Sequence, residues 1–71
     1  MKDEEKFRIA IGKKIREYRN ARGISQETLG LEVDLSKNQI GRIERGGNST
    51  ISSLYRIAKQ LEVDITVLLK V

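Results

Sequence analysis

Cysteine, histidine, proline and tryptophan are all missing from this 71-residue sequence, which also has only one Phe and two Tyr. Without Cys there is no disulfide and no thiolate chemistry. Without His the commonest general base and the commonest metal ligand are gone. A Ser–His or Cys–His nucleophile is therefore excluded. The serines at 25, 36, 49, 52 and 53 read as helix caps and loop polars, and the chain is not expected to be an enzyme. No metal and no cofactor is expected. No apolar run is long enough to span a bilayer and no signal-peptide core follows Met1, so the expectation is a soluble, cytoplasmic protein without a membrane partner. With no repeat and no low-complexity tract, residues 1–71 read as one domain. A chain this short buries a small core and is marginal unless it packs efficiently or oligomerises.

The positive charge is unevenly spread. Residues 1–22 hold eight Lys or Arg against four acids, and residues 23–71 hold six of each sign. The whole net charge of +4 thus lies in the first third. A basic segment on a small domain suggests a polyanion, although a solvated helix face would have the same composition.

Apolar periodicity and capping residues divide the chain into five helices. Phe7, Ile11, Ile15 and Tyr18 form one stripe, ending near Arg22 and Gly23, where Gly23 suits a left-handed C-terminal position. Ser25 can cap a second helix from Gln26 to Val33 that carries Leu29 and Val33. Val33-Asp34-Leu35 makes a tight turn. Ser36 and Gln39 fit a capping box for a third helix, which stops at Gly46-Gly47. After the loop "GGNST", Thr50 can cap a fourth helix whose expected buried stripe is Ile51, Leu54, Ile57, Ala58 and Leu61. Asp64 can cap a short last helix with Ile65, Leu68 and Leu69. The predicted fold class is all-α, a five-helix bundle.

The third helix is the informative one. On a wheel of about 100° per residue with Asn38 at zero, Ile40 and Ile43 fall at roughly 200° and 140° and point together into a core. Asn38, Gly41, Arg42 and Arg45 fall within roughly 60° of zero, flanked by Lys37 and Gln39. This face offers an amide, two guanidinium groups and a missing side chain. Asn can pair with adenine N6 and N7, and Arg with guanine O6 and N7. Gly41 weakens the helix by about 1 kcal/mol relative to Ala. It allows close approach of the backbone to DNA, or it is a glycine tolerated in a helix held by packing. The short preceding helix and tight turn complete a helix-turn-helix pair over about residues 25–45, whose second helix can enter a major groove.

The segment "IGKKIREYRNARGISQETLGLEVDLSKNQIGRIERG" followed by "ISSLYRIAKQLEVDITVLL" resembles the lambda-repressor-like, Cro/C1-type (XRE) helix-turn-helix family, from about Ile11 to Leu69. The resemblance implies a sequence-specific double-stranded DNA-binding transcriptional regulator, a small stand-alone repressor reading a palindromic operator through residues 36–45. It implies base reading by Lys37, Asn38, Gln39 and Arg42, with Gln39 at a flanking position. Phosphate contacts fall to Gln26, Ser36, Arg45, Asn48 and Ser49. Arg19 and Glu44 match a structural ion pair tying the first helix to the end of the third. Two departures concern backbone conformation: Asp34 stands where relatives carry Gly in the turn, and Gly30 where they carry Ala. A third is the loop "GGNST", which lacks basic residues.

An interaction module or antitoxin component that keeps the fold, with DNA binding secondary, is the alternative. A twofold reader of a palindrome needs a homodimer. Val67 and Val71 project away from the core-facing side of the last helix, so the expected interface is Val67, Leu69 and Val71, with Tyr55 either a further member or a core-edge residue.

Overall fold

Four of the five helices begin with the side-chain cap that the sequence supplies. In a computed structural model describing residues 2–71, the helices are α1 (Asp3–Ala21), α2 (Gln26–Val33), α3 (Lys37–Glu44), α4 (Ile51–Gln60) and α5 (Ile65–Leu69), with no strand among the described residues. Ser25 accepts from the Thr28 N–H, Ser36 from Gln39, Thr50 from Ser53 and Asp64 from Thr66. Only α1 starts without a side-chain cap, and there Asp3, Glu4 and Glu5 set negative charge against the free N–H groups of the first turn. The Thr66 N–H and hydroxyl hold the Asp64 carboxyl below its ordinary pKa.

Two turns take a left-handed residue that is not glycine. Asp34 has φ 61° and Glu62 has φ 60°. The Asp34 turn closes with the Leu35 N–H on the Gly30 carbonyl at 2.8 Å. Gly30 is needed for that closure, because a Cβ there would lie 2.5 Å from the Leu35 carbonyl oxygen. The departures at 30 and 34 therefore belong to one compact turn. The Glu62 turn was not anticipated from the sequence. It repeats the same geometry, with the Val63 N–H on the Ala58 carbonyl at 3.0 Å.

The core is built from every helix: Ile11 and Ile15, Leu29 and Val33, Ile40 and Ile43, Leu54, Ile57 and Ala58, and Leu68, joined by Leu61 just past α4. Each Ile, Leu or Val among them, when fully buried, contributes about 1.5–3 kcal/mol against exposure. Two expected core members lie elsewhere. Phe7 is 46% exposed and Ile51 64% exposed. Both sit at helix N-terminal ends where the bundle has run out of covering elements. With Ile11, Leu54 and Leu69 they line an open apolar groove. Their helical phase was read correctly, but the bundle stops short of them.

α1 crosses the end of α3 at very short range. A Cβ on Gly12 would lie 2.4 Å from the Ile43 carbonyl oxygen and 2.6 Å from that of Glu44. Only glycine lets the two backbones meet this way. Arg56 of α4 donates from Nε to the Val33 carbonyl at 3.1 Å, placing a cation on the carbonyl end of α2. Among the described residues no helix is long and apolar enough to cross a membrane.

Candidate nucleic-acid interface

α3 is divided lengthwise. Ile40 and Ile43 are buried in the core, whereas Lys37, Asn38, Gln39, Arg42 and Arg45 are exposed. Lys37, Asn38, Arg42 and Arg45 make no side-chain hydrogen bond among the described residues. Their donors and acceptors face outward unsatisfied. A notch between α3 and the start of α4 is lined by Gln39, Arg42, Asn48, Ser49 and Thr50, so the loop polars do lie beside the exposed face of α3.

Other residues of the expected site are partly engaged within the protein. The Gln39 carboxamide oxygen accepts from the Ser36 N–H at 2.7 Å, and Ser36 Oγ accepts from the Gln39 N–H at 3.0 Å. This capping box occupies one acceptor site of the Gln39 carboxamide oxygen and leaves its amide N–H groups free, and Ser36 keeps its hydroxyl proton. Ser49 donates to the Thr50 carbonyl at 3.3 Å. Asn48 is exposed.

The inner end of α3 holds a buried polar network. Arg19 of α1 donates from Nε to Glu44 Oε2 at 2.6 Å and from Nη2 to Glu44 Oε1 at 3.0 Å. Its Nη1 donates to the Ile24 carbonyl at 2.9 Å. The Glu44 hydrogen bond raises the Arg19 pKa above its ordinary value. The Glu44 side chain is only 2% exposed. Gln26, the first residue of α2, donates from Nε2 to Glu44 Oε1 at 3.1 Å. One carboxylate thus joins three helices, and no buried side-chain polar atom among the described residues lacks a partner.

Gly41 is buried, and the space beside it is filled from within the protein. Arg45 Nη1 and the Gln26 carboxamide lie over it. The side-chain atoms nearest to this glycine come from the protein itself, Arg45 Nη1 first and the Gln26 carboxamide next. The basic first third is also partly neutralised. Arg8 pairs with Glu4 at 2.5 Å and donates to the Gly46 carbonyl at 3.0 Å, and Arg22 pairs with Glu62. Counting Arg19, three of the eight cations of residues 1–22 are engaged with acids. Glu4 already belongs to the charge count of residues 1–22, so only Glu44 and Glu62, far away in sequence, offset that segment's excess from outside it.

The sequence does not single out Gly12, Arg8 or Arg56, and the resemblance implies that Gln26 braces the third helix without naming Glu44 as its partner. A glycine inside a long helix beside the Ile11–Ile15 stripe was the available signal for the first. Nothing local marks the others.

The helix-turn-helix family model matches residues 15–68. An uncharacterized transcriptional regulator in the ATPase CF(0) region of Rhodospirillum rubrum is 43% identical over 56 residues, covering 78% of this chain and 52% of that protein. The chain therefore spans about half the length of this curated relative. Among solved structures, the restriction-modification controller protein C.AhdI from Aeromonas hydrophila superimposes with a TM-score of 0.88 at 31% identity, over 94% of this chain and 99% of that one. The P22 c2 repressor in complex with a synthetic operator gives 0.80 at 31% identity, over 84% and 92%. Architecture, turn chemistry and these likenesses agree, and the chain belongs to the helix-turn-helix family of the Cro/C1 (XRE) type.

Proposed function

We propose that this protein is a sequence-specific double-stranded DNA-binding transcriptional regulator. It acts in the cytoplasm as a small repressor and docks α3 in the major groove of a palindromic operator. The observation that carries this reading is the face of α3, where Lys37, Asn38 and Arg42 stand exposed and unpaired on a helix anchored at both ends. Support comes from the relatives: one is named a transcriptional regulator, and the P22 c2 repressor structure contains its operator. An interaction module with secondary DNA binding is not favoured by these comparisons.

In this reading Lys37, Asn38 and Arg42 read bases, and Gln39 contributes through its amide N–H groups. Gln26, Ser36, Arg45, Asn48 and Ser49 contact phosphates. The functional unit is a homodimer through the C-terminal end. Val71 is 53% exposed and Val67 half-buried, which supports their place in the interface. Leu69 already packs against the core and offers only an edge, while Tyr55 is 55% exposed.

Selection of bound sites from a random DNA library tests the reading. Asn38→Ala and Arg42→Ala should each weaken binding to the selected site by about 1–3 kcal/mol and relax preference at one position. Gln26→Ala should weaken selected and random duplexes by similar factors. Affinity should fall steeply with salt as counterions are released. Binding that is flat with salt, or unchanged in both base-reading variants, overturns the docking. For the dimer, sedimentation should show the parent shifting to twice its mass with concentration and Val67→Asp remaining monomeric. A parent monomeric at high concentration ends that part of the proposal.

A further inference from the structure

Gly41 lies one helical turn before Arg45 on α3 and faces Gln26 at the start of α2. Helix propensity disfavours it, since alanine is the better residue in a helix interior. Its neighbours give it a purpose. A Cβ built on Gly41 would lie 3.1 Å from Arg45 Nη1, 3.4 Å from Gln26 Oε1 and 3.6 Å from Gln26 Nε2. Polar side-chain atoms from two helices thus converge on the space that one methyl group would take.

Glu44 fixes how the Gln26 amide is turned. An ionised carboxylate only accepts hydrogen bonds, so Gln26 must present Nε2 to it, and the contact is made at 3.1 Å. One N–H of that amide is used and the other is left over. The Arg45 guanidinium has no partner among the described residues and lies against the same gap. Two donors, one of them charged, are set side by side on an electropositive helix. A phosphate group has acceptor oxygens for both, and charge-assisted bonds of this kind are strong and sensitive to geometry.

We propose that Gly41 is a positioning residue for DNA binding: lacking a side chain, it lets the Gln26 carboxamide, held by Glu44, and the Arg45 guanidinium lie together as donors to one backbone phosphate. This rests on the DNA-binding reading above. A methyl group at 41 pushes the Arg45 guanidinium aside by a few tenths of an ångström while resting in ordinary contact with the Gln26 carboxamide, so the two donors no longer keep the same spacing. It leaves the core and the Arg19–Glu44 pair untouched, because the atoms it meets are the flexible ends of polar side chains.

The experiment compares the parent, Gly41→Ala, Gln26→Ala and the double variant, by thermal melting and by binding to a selected duplex and a random one. Gly41→Ala should melt at or above the parent temperature, yet bind both duplexes about three- to tenfold more weakly, on the scale of part of a charge-assisted hydrogen bond. Its slope of log affinity against log salt should become shallower than the parent's, as the Arg45 contact weakens. On the Gln26→Ala background the same substitution should cost less than about twofold, since neighbours that share a contact are not additive. Gly41→Ala binding as tightly as the parent overturns the inference, because the glycine is then merely tolerated. An equal cost with and without Gln26 overturns it too, because the glycine then meets DNA itself. A large fall in melting temperature would show a purely structural role. A parent that binds neither duplex removes the DNA-binding reading, and this inference with it.

Discussion

The two ends of α3 are held by opposite means. At its N-terminal end, Ser36 and Gln39 satisfy each other's backbone N–H groups, three residues apart. At its C-terminal end, Glu44 is gripped by Arg19 from 25 residues away and by Gln26 from 18, and Arg8 reaches the Gly46 carbonyl from 38. The carbonyls of Ile43 and Glu44 lie against Gly12 of α1. The first turn of the exposed helix is therefore fixed by its own sequence. The last is fixed by α1 and α2, and so is the angle at which the side chains of α3 are presented.

Substitutions can break this contrast. The largest effect is expected from Glu44→Ala, which leaves the Arg19 charge buried and should cost about 3–5 kcal/mol. Glu32→Ala, an exposed acid on α2, should stay within about 0.5 kcal/mol of the parent in the same urea titrations. Next is Gly12→Ala, which must push α1 away from two carbonyl oxygens. It should cost about 1–3 kcal/mol, with the loss read by thermal melting. Of the three anchor substitutions the smallest effect is expected from Ser36→Ala, at about 1 kcal/mol for a lost N-cap. Should Ser36→Ala prove more damaging than Glu44→Ala, the local end would be the dominant anchor and the contrast would be reversed.

The same division explains what could be read from the sequence. Helix starts at 26, 37, 51 and 65 follow from Ser25, Ser36, Thr50 and Asp64, because a cap acts over a few residues. The inward pair Ile40 and Ile43 follows from helical phase alone. Phase could not tell that Phe7 and Ile51 lie beyond the reach of the bundle. Nor could it tell that Gln39 spends its carbonyl oxygen on the cap, since a side chain that suits a base edge suits a backbone N–H equally well. The Arg19–Glu44 pair was expected through resemblance to a family, and Glu44 is also the only acid on a basic helix. Its geometry, and the Gln26 amide that shares the carboxylate, needed three dimensions.

The long reach from α1 to the end of α3 also bears on the order of assembly. Contacts that span 25 or 38 residues return energy only after the intervening chain has been ordered, whereas the Ser36 cap can form as soon as its own turn does. The pair α2 and α3, joined by the short Asp34 turn, is then expected to be the early unit, with α1 docking upon it as a clasp. In stopped-flow measurements, Ser36→Ala should slow folding, while Glu44→Ala should chiefly hasten unfolding. The opposite pattern would make α1 part of the nucleus. A clasp closed last is also the first to open, so on this order the lifetime of the folded state is expected to follow a carboxylate on the buried side of the helix rather than the face that meets the outside.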